Sequence, residues 1–368
     1  MARTLPAMST TTDRTDALAE RLFGATLGAL ELCSVYLGSE LGLYRTLDER
    51  GSMTTGELAE AAGIAPRYAR EGLEQQAVAG LVDVDDADAA PEARRFALPA
   101  EHARALARPD DEAHVAPFAH MLAGIAAVLP RVAEAYRTGG GVPYPAYGTE
   151  FRHGQGHINR PAFTHELPGA WLGAMPDVVA RLERADRPRV ADVGCGQGWS
   201  TLAVARAFPH ALVDGLDADP ASIADARRHA AEAGVDGTVR FVEGDAAAVA
   251  DHGPYDLVLV LEALHDLARP VEALRSARRA LAPGGAVLVV DERVAERFTA
   301  PGDDVERMMF GWSVTHCLPT QLAEQPSAAL GTVLRAGTVG ELASEAGFHA
   351  VEVLPVDNDF FRLYRLHA

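Results

Sequence analysis

Val190-Ala191-Asp192-Val193-Gly194-Cys195-Gly196-Gln197-Gly198 is the stretch that decides the fold of this chain. An apolar run ends in an acidic residue, and three glycines then occupy alternate positions before a helix-like segment from Trp199 to Phe208. Glycine lets the backbone turn sharply and approach a ligand closely, and the N-terminus of the following helix presents free N–H groups. This order of strand, glycine turn and helix is typical of a doubly wound α/β domain that binds a nucleotide-like ligand.

The strand after the glycine turn also ends in an acidic residue. The apolar run from Ala211 to Leu216 leads into Asp217, whose carboxylate can accept hydrogen bonds from both hydroxyls of a ribose. The glycine spacing is G-x-G-x-G, whereas a dinucleotide-binding loop has G-x-G-x-x-G with its third glycine inside the helix. The spacing therefore favours a nucleoside ligand other than a nicotinamide dinucleotide.

Five segments in register resemble the motifs of class I S-adenosylmethionine (SAM) methyltransferases, from about residue 165 to residue 368. The glycine turn resembles that family's first motif, and Asp217 matches its acidic ribose ligand. Residues 239–245, 255–261 and 281–285 match the third strand, the fourth strand and the turn before the fifth strand. The resemblance implies an α/β fold with a Rossmann-like, seven-stranded sheet and SAM as the cofactor. The cofactor-binding residues that it implies are Asp192, Gly194, Gly196, Gly198, Asp217 and Asp245, the last as the ligand of the adenine amino group.

Composition and charge narrow the class of partner. The chain has 368 residues, a net charge of −19 and no lysine among its 33 basic residues. Phosphates of nucleic acids and anionic membranes repel such a chain, so we expect neither as a partner. Its three cysteines are scattered, which predicts a reduced, cytoplasmic protein without a disulfide framework. We expect no run of about 18 apolar residues that could span a bilayer.

The first part of the chain predicts a separate, mainly helical domain. We expect a disordered leader over residues 1–15 and a winged-helix-like domain over residues 16–110. Helical patterns over residues 54–63 and 66–80 precede two short strands, residues 81–84 and 95–98, that flank an acidic turn. In plant-type O-methyltransferases and their bacterial relatives, which this organisation resembles, such a module dimerises. The resemblance therefore implies a homodimer.

A helical linker over residues 111–164 is expected to lead into the SAM domain, residues 165–368. Near its end, Phe163 is a candidate lid over the cofactor, with packing in the core as the alternative. We also group Glu262, at the carboxyl end of the fourth strand, with the cofactor-binding residues, because ligands of open α/β sheets lie beyond the carboxyl ends of the strands.

The candidate catalytic residues follow the fourth strand. His265 and Asp266 are expected near the methyl group of SAM, and they match the His-Asp motif of plant-type O-methyltransferases, with Leu267 in place of tryptophan. The resemblance implies that His265 is the general base of O-methylation to a small organic acceptor, and a pKa near neutrality suits that role. Asp291 and Glu292 are the candidates to orient its ring.

A second interpretation adds His316. With His265 and Asp266 it has the composition of a two-histidine, one-carboxylate site for a divalent, iron-like metal. This set resembles bacterial iron-dependent C-methyltransferases that act on α-keto acids, where a metal promotes enolisation. A third hypothesis, a SAM-binding transcriptional regulator, rests on the winged helix. The acidic residues of its second helix and wing argue against DNA binding.

Overall fold

The structure, a computed structural model, describes residues 14–368 and divides them into two compact units. The first comprises residues 14–108 and 114–119, and the second comprises residues 109–113 and 120–368. Most of the expected leader lies outside the described residues, and the first helix begins at Arg14. The expected linker is not a separate segment, since residues 120–164 belong to the second unit.

The first unit has the elements of a winged helix. In chain order they are α1 (Arg14–Glu40), α2 (Leu43–Arg50), β1 (Met53–Thr54), α3 (Thr55–Ala62), α4 (Pro66–Val78), β2 (Asp83–Val84), β3 (Arg95–Ala97) and α5 (Ala100–Leu106). The three strands form an antiparallel sheet in the order β1-β3-β2. Gly42 separates α1 from α2 with a φ of 67°, in the left-handed region that glycine adopts without strain. The expected wing strands are confirmed, and β1 is an addition to them.

Apolar side chains of α2, α3, α4 and β3 form a core in this unit, where Leu47, Leu58, Leu73 and Phe96 are buried. Helix α3 begins with a capping box, in which Thr54 and Glu57 satisfy each other's backbone N–H groups. The local sequence thus fixes the start of α3, and burial of its apolar face fixes its position.

Two helices meet a criterion of length and composition for crossing a membrane, although we expected none. They are α1 and the helix α6 (Pro117–Thr138). This is weak evidence, because core helices of other proteins meet the same criterion. The two helices differ in burial. Of an apolar stretch of 18 residues in each helix, 11% is buried in α1 and 44% in α6.

The second unit contains most of α6 and a sheet with helices on both faces. Its further helices are α7 (Gly148–Ile158), α8 (Arg160–His165), α9 (Pro176–Arg184), α10 (Trp199–Ala207), α11 (Pro220–Ala233), α12 (Pro270–Arg279), α13 (Asp304–Trp312), α14 (Leu318–Leu322) and α15 (Ala336–Glu345). Its strands are β4 (Arg189–Val193), β5 (Leu212–Asp217), β6 (Val239–Glu243), β7 (Tyr255–Leu261), β8 (Leu281–Glu292), β9 (Ala350–Val353) and β10 (Phe361–His367). Short turns of 3-10 or π helix cover residues 144–147, 167–171, 246–251, 264–266 and 313–317.

The seven strands lie in the order β6-β5-β4-β7-β8-β10-β9, and the expected Rossmann-like sheet is confirmed. Strands β4 to β8 are parallel to one another, and β10 pairs antiparallel with both β8 and β9. Alternate residues of β7 enter two cores, Leu257 and Leu259 on one face and Val258 and Val260 on the other. The strand order reverses at β4 and β7, and a reversal of this kind opens a ligand crevice at the carboxyl ends of the strands.

Candidate active site

A cavity of about 430 Å³ lies at the carboxyl ends of β4, β5 and β7. Its volume falls in the range of small-molecule and cofactor pockets. Every residue that lines it belongs to the second unit. The lining includes five of the predicted cofactor residues and two of the predicted catalytic ones. The cofactor residues are Gly194, Gly196, Asp217, Phe163 and Glu262, and the catalytic residues are Asp266 and His316.

The glycine turn forms one wall of this cavity. Gly194 and Gly196 have φ values of 76° and 50°, in the left-handed region. A Cβ on Gly194 would lie 2.6 Å from the Cβ of Ala263, so the turn depends on glycine there for space as well as conformation. The N–H groups of Gly194 and Cys195 donate to Leu216 O at 2.8 and 3.0 Å, which ties the turn to the end of β5.

Two residues of the predicted cofactor set support the turn from outside the cavity. Asp192 is buried, and its Oδ2 accepts hydrogen bonds of 2.6 Å from the hydroxyls of Ser200 and Thr201 in the first turn of α10. Gly198 begins α10 with a φ of 82° and lies against the ring of Phe241. We expected both residues to contact the cofactor, but in the structure neither of them lines the cavity.

Asp217 lines the cavity at the end of β5. Its Oδ2 accepts from Gly196 N and its Oδ1 from Asp219 N, each at 2.8 Å. Burial raises the pKa of Asp217 to about 6, although the two backbone hydrogen bonds oppose that shift. The carboxylate is thus anchored beside the glycine turn, where a ribose could reach it.

Asp245, the predicted adenine ligand, does not line the cavity. Its Oδ1 accepts from Ala247 N at 2.8 Å, and its Oδ2 pairs with Arg269. Half of its side chain is exposed. Asp245 therefore caps the turn after β6 in this structure, and its neighbours Gly244 and Ala246 line the cavity in its place.

Phe163 and Glu262 both line the cavity. Glu262 has a φ of 54°, which is uncommon for a residue with a side chain and marks a constrained backbone directly after β7. Burial, and then the charge of Asp291, raise the pKa of Glu262 to about 8. Glu262 is therefore mostly protonated at neutral pH.

His265 lies just behind the cavity wall, buried in a group of carboxylates. Its Nδ1 is 2.8 Å from Asp291 Oδ1 and 3.5 Å from Glu292 Oε2, and its Nε2 is 3.5 Å from Asp266 Oδ1. Asp266 lines the cavity, whereas His265 does not. Of the two candidates to orient the ring, Asp291 makes the closer contact.

The charge state of His265 differs from the one expected for a base. Burial by itself lowers its pKa, but the charges of Asp291, Glu292 and Asp266 outweigh burial and raise the pKa of His265 well above its ordinary value. The expectation of a pKa near neutrality is wrong for this arrangement, since several acidic side chains surround one imidazole. The surrounding carboxylates thus favour the charged, imidazolium form of His265.

His316 has the opposite environment. It lines the cavity, and its ring stacks on Phe151 at 4.0 Å between centroids, with the edge of Tyr147 at 4.7 Å. Burial lowers the pKa of His316 to about 4, so its ring is neutral at pH 7. Its Nδ1 is 3.4 Å from Cys317 Sγ, and its buried Nε2 has no hydrogen-bond partner among the described residues.

The predicted metal ligands are not brought together as a set. Among the described residues, the ligand atoms of His265, Asp266 and Cys317 lie within 4.8 Å of one another, as do those of His265, Asp291 and Glu292. His316 belongs to neither group. The π-helical turn over residues 313–317 places Cys317 beside His265 and directs the ring of His316 toward Phe151 and Tyr147.

Apart from Phe163, sequence reasoning missed the contribution of the segment before the SAM domain. Tyr144, Arg152, Gln155 and Asn159 all line the cavity, on α7 or next to it. No motif marks them, because their place depends on how α7 packs above the glycine turn. The feature of the sequence that could have indicated them is the occurrence of polar residues within a Gly-rich stretch.

Comparisons with known proteins agree with these observations. A family profile described as a methyltransferase domain matches residues 190–285, and one described as an Rv2258c-like winged helix-turn-helix domain matches residues 28–108. Among curated proteins, trans-aconitate 2-methyltransferase of Methylobacterium nodulans is 35% identical over 113 residues, which are 31% of this chain and 42% of that protein. Ubiquinone biosynthesis O-methyltransferase of Caulobacter sp. is 36% identical over 102 residues, 27% of this chain and 39% of that protein. The chain thus spans about two fifths of the length of these relatives.

Solved structures share the fold over nearly the whole chain. Mitomycin 7-O-methyltransferase has a TM-score of 0.65 at 20% identity, covering 97% of this chain and all of that one. Human N-acetylserotonin methyltransferase, solved in complex with SAM, has a TM-score of 0.67 at 17% identity, covering 98% of this chain and 99% of that one. The chain therefore carries a methyltransferase domain behind an N-terminal winged helix-turn-helix domain, with the fold of the class I SAM-dependent methyltransferases that its sequence resembles.

Proposed function

We propose that this protein transfers the methyl group of SAM to an oxygen of a small organic acceptor. One observation carries the proposal: a single cavity joins the glycine turn and Asp217 at one part of its wall to Asp266 and His316 at another. A nucleoside cofactor and an acceptor can therefore meet within it. The relatives that act on oxygen, named above, support the same class of reaction.

Methyl transfer from SAM is an in-line displacement. The acceptor oxygen forms a bond to the methyl carbon, the bond from carbon to sulfur breaks, and S-adenosylhomocysteine (SAH) leaves with the electron pair. The sulfonium already activates the carbon, so the protein has to align the acceptor and take its proton.

The geometry favours Asp266 as the group that takes this proton. Its carboxylate lines the cavity, and its Oδ1 has no hydrogen-bond partner among the described residues. His265 stands 3.5 Å behind it as a charged partner that Asp291 holds in place. The alternative, His265 as the base, requires its proton to leave first and predicts that activity rises only through a pKa well above 6.5.

The test is production of SAH from SAM in the presence of a panel of phenols, enols and hydroxy acids, followed by mass spectrometry. We expect SAH together with a product heavier than its acceptor by one methylene unit. Asp217→Ala is the control that should lose cofactor binding. Failure of the wild-type protein to bind SAH at all would refute the proposal.

Metal-assisted C-methylation of an α-keto acid is less well supported. The ligand atoms of His265, Asp266 and His316 do not form a group within 4.8 Å, so we route no step through a metal. Metal analysis of protein purified without a His-tag tests this point directly. A stoichiometric divalent metal that is lost in His316→Ala would favour the C-methylation reaction instead.

A role as a transcriptional regulator is also less well supported. Several arginines of the first unit pair with carboxylates of the same unit: Arg67 with Glu71, Arg70 with Glu74 and Glu92, Arg94 with Glu74, and Arg95 with Glu57. Charges that are neutralised in this way contribute little to phosphate binding. We therefore propose that the protein does not bind nucleic acid. Tight, salt-resistant binding to duplex DNA would contradict this.

We further propose that the protein is a cytoplasmic homodimer that associates through α1. Leu22, Phe23 and Leu30 on this helix are 56%, 67% and 61% exposed. Leu18, Leu27 and Leu37 on the same helix are exposed as well, as is Leu41 just after it. A row of exposed apolar side chains of this length is typical of an interaction surface. A second copy of α1 offers the matching apolar surface, whereas a membrane partner remains the alternative outcome of the test given in the Discussion.

A further inference from the structure

Arg152, Gln197 and Trp199 line the same cavity, and their side chains have no role in the cofactor and catalytic assignments above. Arg152 lies on α7, Gln197 lies in the glycine turn, and Trp199 is the first residue of α10. Each has a buried polar atom without a hydrogen-bond partner among the described residues: Arg152 Nε, Gln197 Oε1 and Trp199 Nε1. A buried polar group left unpaired costs about 1–3 kcal/mol, so these atoms indicate a missing ligand.

Asp225, on α11, holds two of these side chains in place. Gln197 Nε2 donates to its Oδ2 at 3.1 Å, and Arg152 Nε lies 3.5 Å from the same oxygen. Because a carboxylate only accepts hydrogen bonds, it fixes the amide of Gln197 with its NH₂ toward α11 and leaves Oε1 as a free acceptor. The contact to Arg152 is too long for a good hydrogen bond and leaves the guanidinium able to bind a second anion.

The chemistry of the three groups is that of a site for an α-amino carboxylate. Arg152 and Trp199 supply N–H donors, one of them charged, which suit a carboxylate. Gln197 Oε1 supplies an acceptor, which suits an ammonium group. A Cβ on Gly156 would lie 2.3 Å from this oxygen, so the glycine keeps the space beside it open.

We infer that Arg152, Gln197 and Trp199 bind the amino-acid end of the cofactor, with Asp225 as their positioning residue. This inference rests on the proposed function for the identity of the ligand. The nucleoside end binds separately, at Asp217 at the end of β5. The cofactor is thus held at its two ends by residues from different segments, and α7 contributes to its binding.

Two probes separate the ends of the cofactor. SAH carries both the nucleoside and the amino acid, whereas 5′-methylthioadenosine carries the nucleoside and lacks the amino acid. Calorimetric titration of wild-type protein with both probes tests the proposed function first, since a protein that binds neither has no nucleoside site. The variants Arg152→Gln and Gln197→Met then test the amino-acid site.

Loss of a hydrogen bond to a charged group predicts that Arg152→Gln binds SAH about 10- to 100-fold more weakly, because such bonds contribute roughly 1.5–3 kcal/mol. Its affinity for methylthioadenosine should change less than about twofold, and Gln197→Met should show the same selectivity with a smaller loss. Arg206→Gln, an equal loss of charge at an exposed position of α10, is the matched control and should bind both probes like the wild type. Melting temperatures check that each variant folds.

Two results would overturn the inference. An equal loss of affinity for both probes would place Arg152 at the nucleoside or in the stability of the fold. Unchanged affinity for SAH in both variants would leave the three side chains without a role in cofactor binding. Neither result depends on the identity of the acceptor, because no turnover is measured.

Discussion

His265 Nδ1 lies 2.8 Å from Asp291 Oδ1, and both side chains are nearly inaccessible, at 4% and 1% exposure. The two residues stand on the loop after β7 and at the end of β8, which are neighbouring parallel strands paired through Leu261 and Val290. A buried ion pair of this kind is costly to break on one side, because the remaining charge has no water to solvate it. The pair therefore couples the stability of the fold at the carboxyl ends of β7 and β8 to the charge of the candidate active site.

The first prediction concerns the stability that His265 contributes. His265→Gln leaves Asp291 buried without its cationic partner and should lower the free energy of unfolding by about 3–5 kcal/mol near neutral pH. Since the folded pKa of His265 is raised above the unfolded value, its contribution is fully present below pH 6.5 and is lost as the pH rises through the folded pKa.

Urea denaturation of wild type and His265→Gln across pH 6 to about 10 measures this difference. The difference should shrink at the alkaline end. His210→Gln, at an exposed position, is the control and should show no such trend. A difference that grows with rising pH would show that His265 is neutral in the folded protein.

The second prediction assigns the proton acceptor. Asp266→Asn keeps the size of the side chain and removes the carboxylate that lines the cavity. We expect kcat to fall by about 100-fold or more, because general base catalysis contributes roughly 10²–10⁴. Affinity for SAH should stay at the wild-type value. A parallel loss of SAH affinity would instead assign Asp266 to the cofactor site.

The third prediction is a pH dependence of cofactor binding. Because the pKa of Asp217 is about 6, its carboxylate gains a proton as the pH falls through that value and loses an acceptor for the ribose hydroxyls. Affinity for SAH should therefore decline below pH 6 and be constant above it. In Asp217→Asn, calorimetry should show weaker binding that no longer varies with pH in this range. A wild-type affinity that is flat from pH 5 to about 8 would contradict the assignment.

The fourth prediction compares two glycines of the same turn. Both Gly194 and Gly196 are in the left-handed region, so an alanine at either position should cost about 1–2 kcal/mol. Only Gly194 has a close neighbour, the Cβ of Ala263 at 2.6 Å, whereas a Cβ at Gly196 meets open space. Gly194→Ala should thus destabilise the protein more than Gly196→Ala in chemical denaturation. Equal losses would mean that Ala263 moves aside freely.

The fifth prediction concerns association through α1. Replacing Leu22 and Leu30 together by glutamate places charges on the exposed apolar row and should convert a dimer to a monomer in sedimentation at micromolar concentration. Tyr68→Glu, on α4 and 79% exposed, is the control for a new surface charge. A wild-type protein that is monomeric at this concentration but binds lipid vesicles through α1 would favour the membrane alternative.

The strands of the larger unit could be predicted because both faces of the sheet are covered. Leu257 to Leu261 form an unbroken apolar run, since alternate residues enter different cores. The wing strands followed from local patterns as well. Helix continuity is harder to predict: the helical segment from residue 160 to residue 184 is divided around Pro168 and Pro176 into α8, a π turn and α9.

The role of a site residue could be predicted where it depends on the strand that carries the residue. It was harder to predict where it depends on contacts with a different element. Gly194 and Asp217 lie at strand ends and line the cavity, as the pattern implied. Asp192 has the expected position in β4, but its carboxylate accepts hydrogen bonds from the hydroxyls of Ser200 and Thr201 on α10. The sequence of β4 alone does not show this contact. The charge of His265 depends on Asp291 across the sheet, and the place of Arg152 depends on the packing of α7. Asp291 was predicted as a partner of His265, but neither the resulting charge of His265 nor the packing of α7 has a signature in sequence spacing.

Gln321 joins two regions that look separate along the chain. Its side-chain amide donates to the backbone oxygen of His265 and accepts from Gly331 N at 3.2 Å. An attempt to retarget the protein to a new acceptor would naturally exchange the segment from residue 313 to residue 334. Such an exchange also alters the hydrogen bonds of Gln321 that fix the loop of His265, so the segment cannot be replaced without an effect on that loop. Chimeras that keep Gln321 and Gly331 should retain a working catalytic loop, whereas those that replace them should need compensating changes near His265.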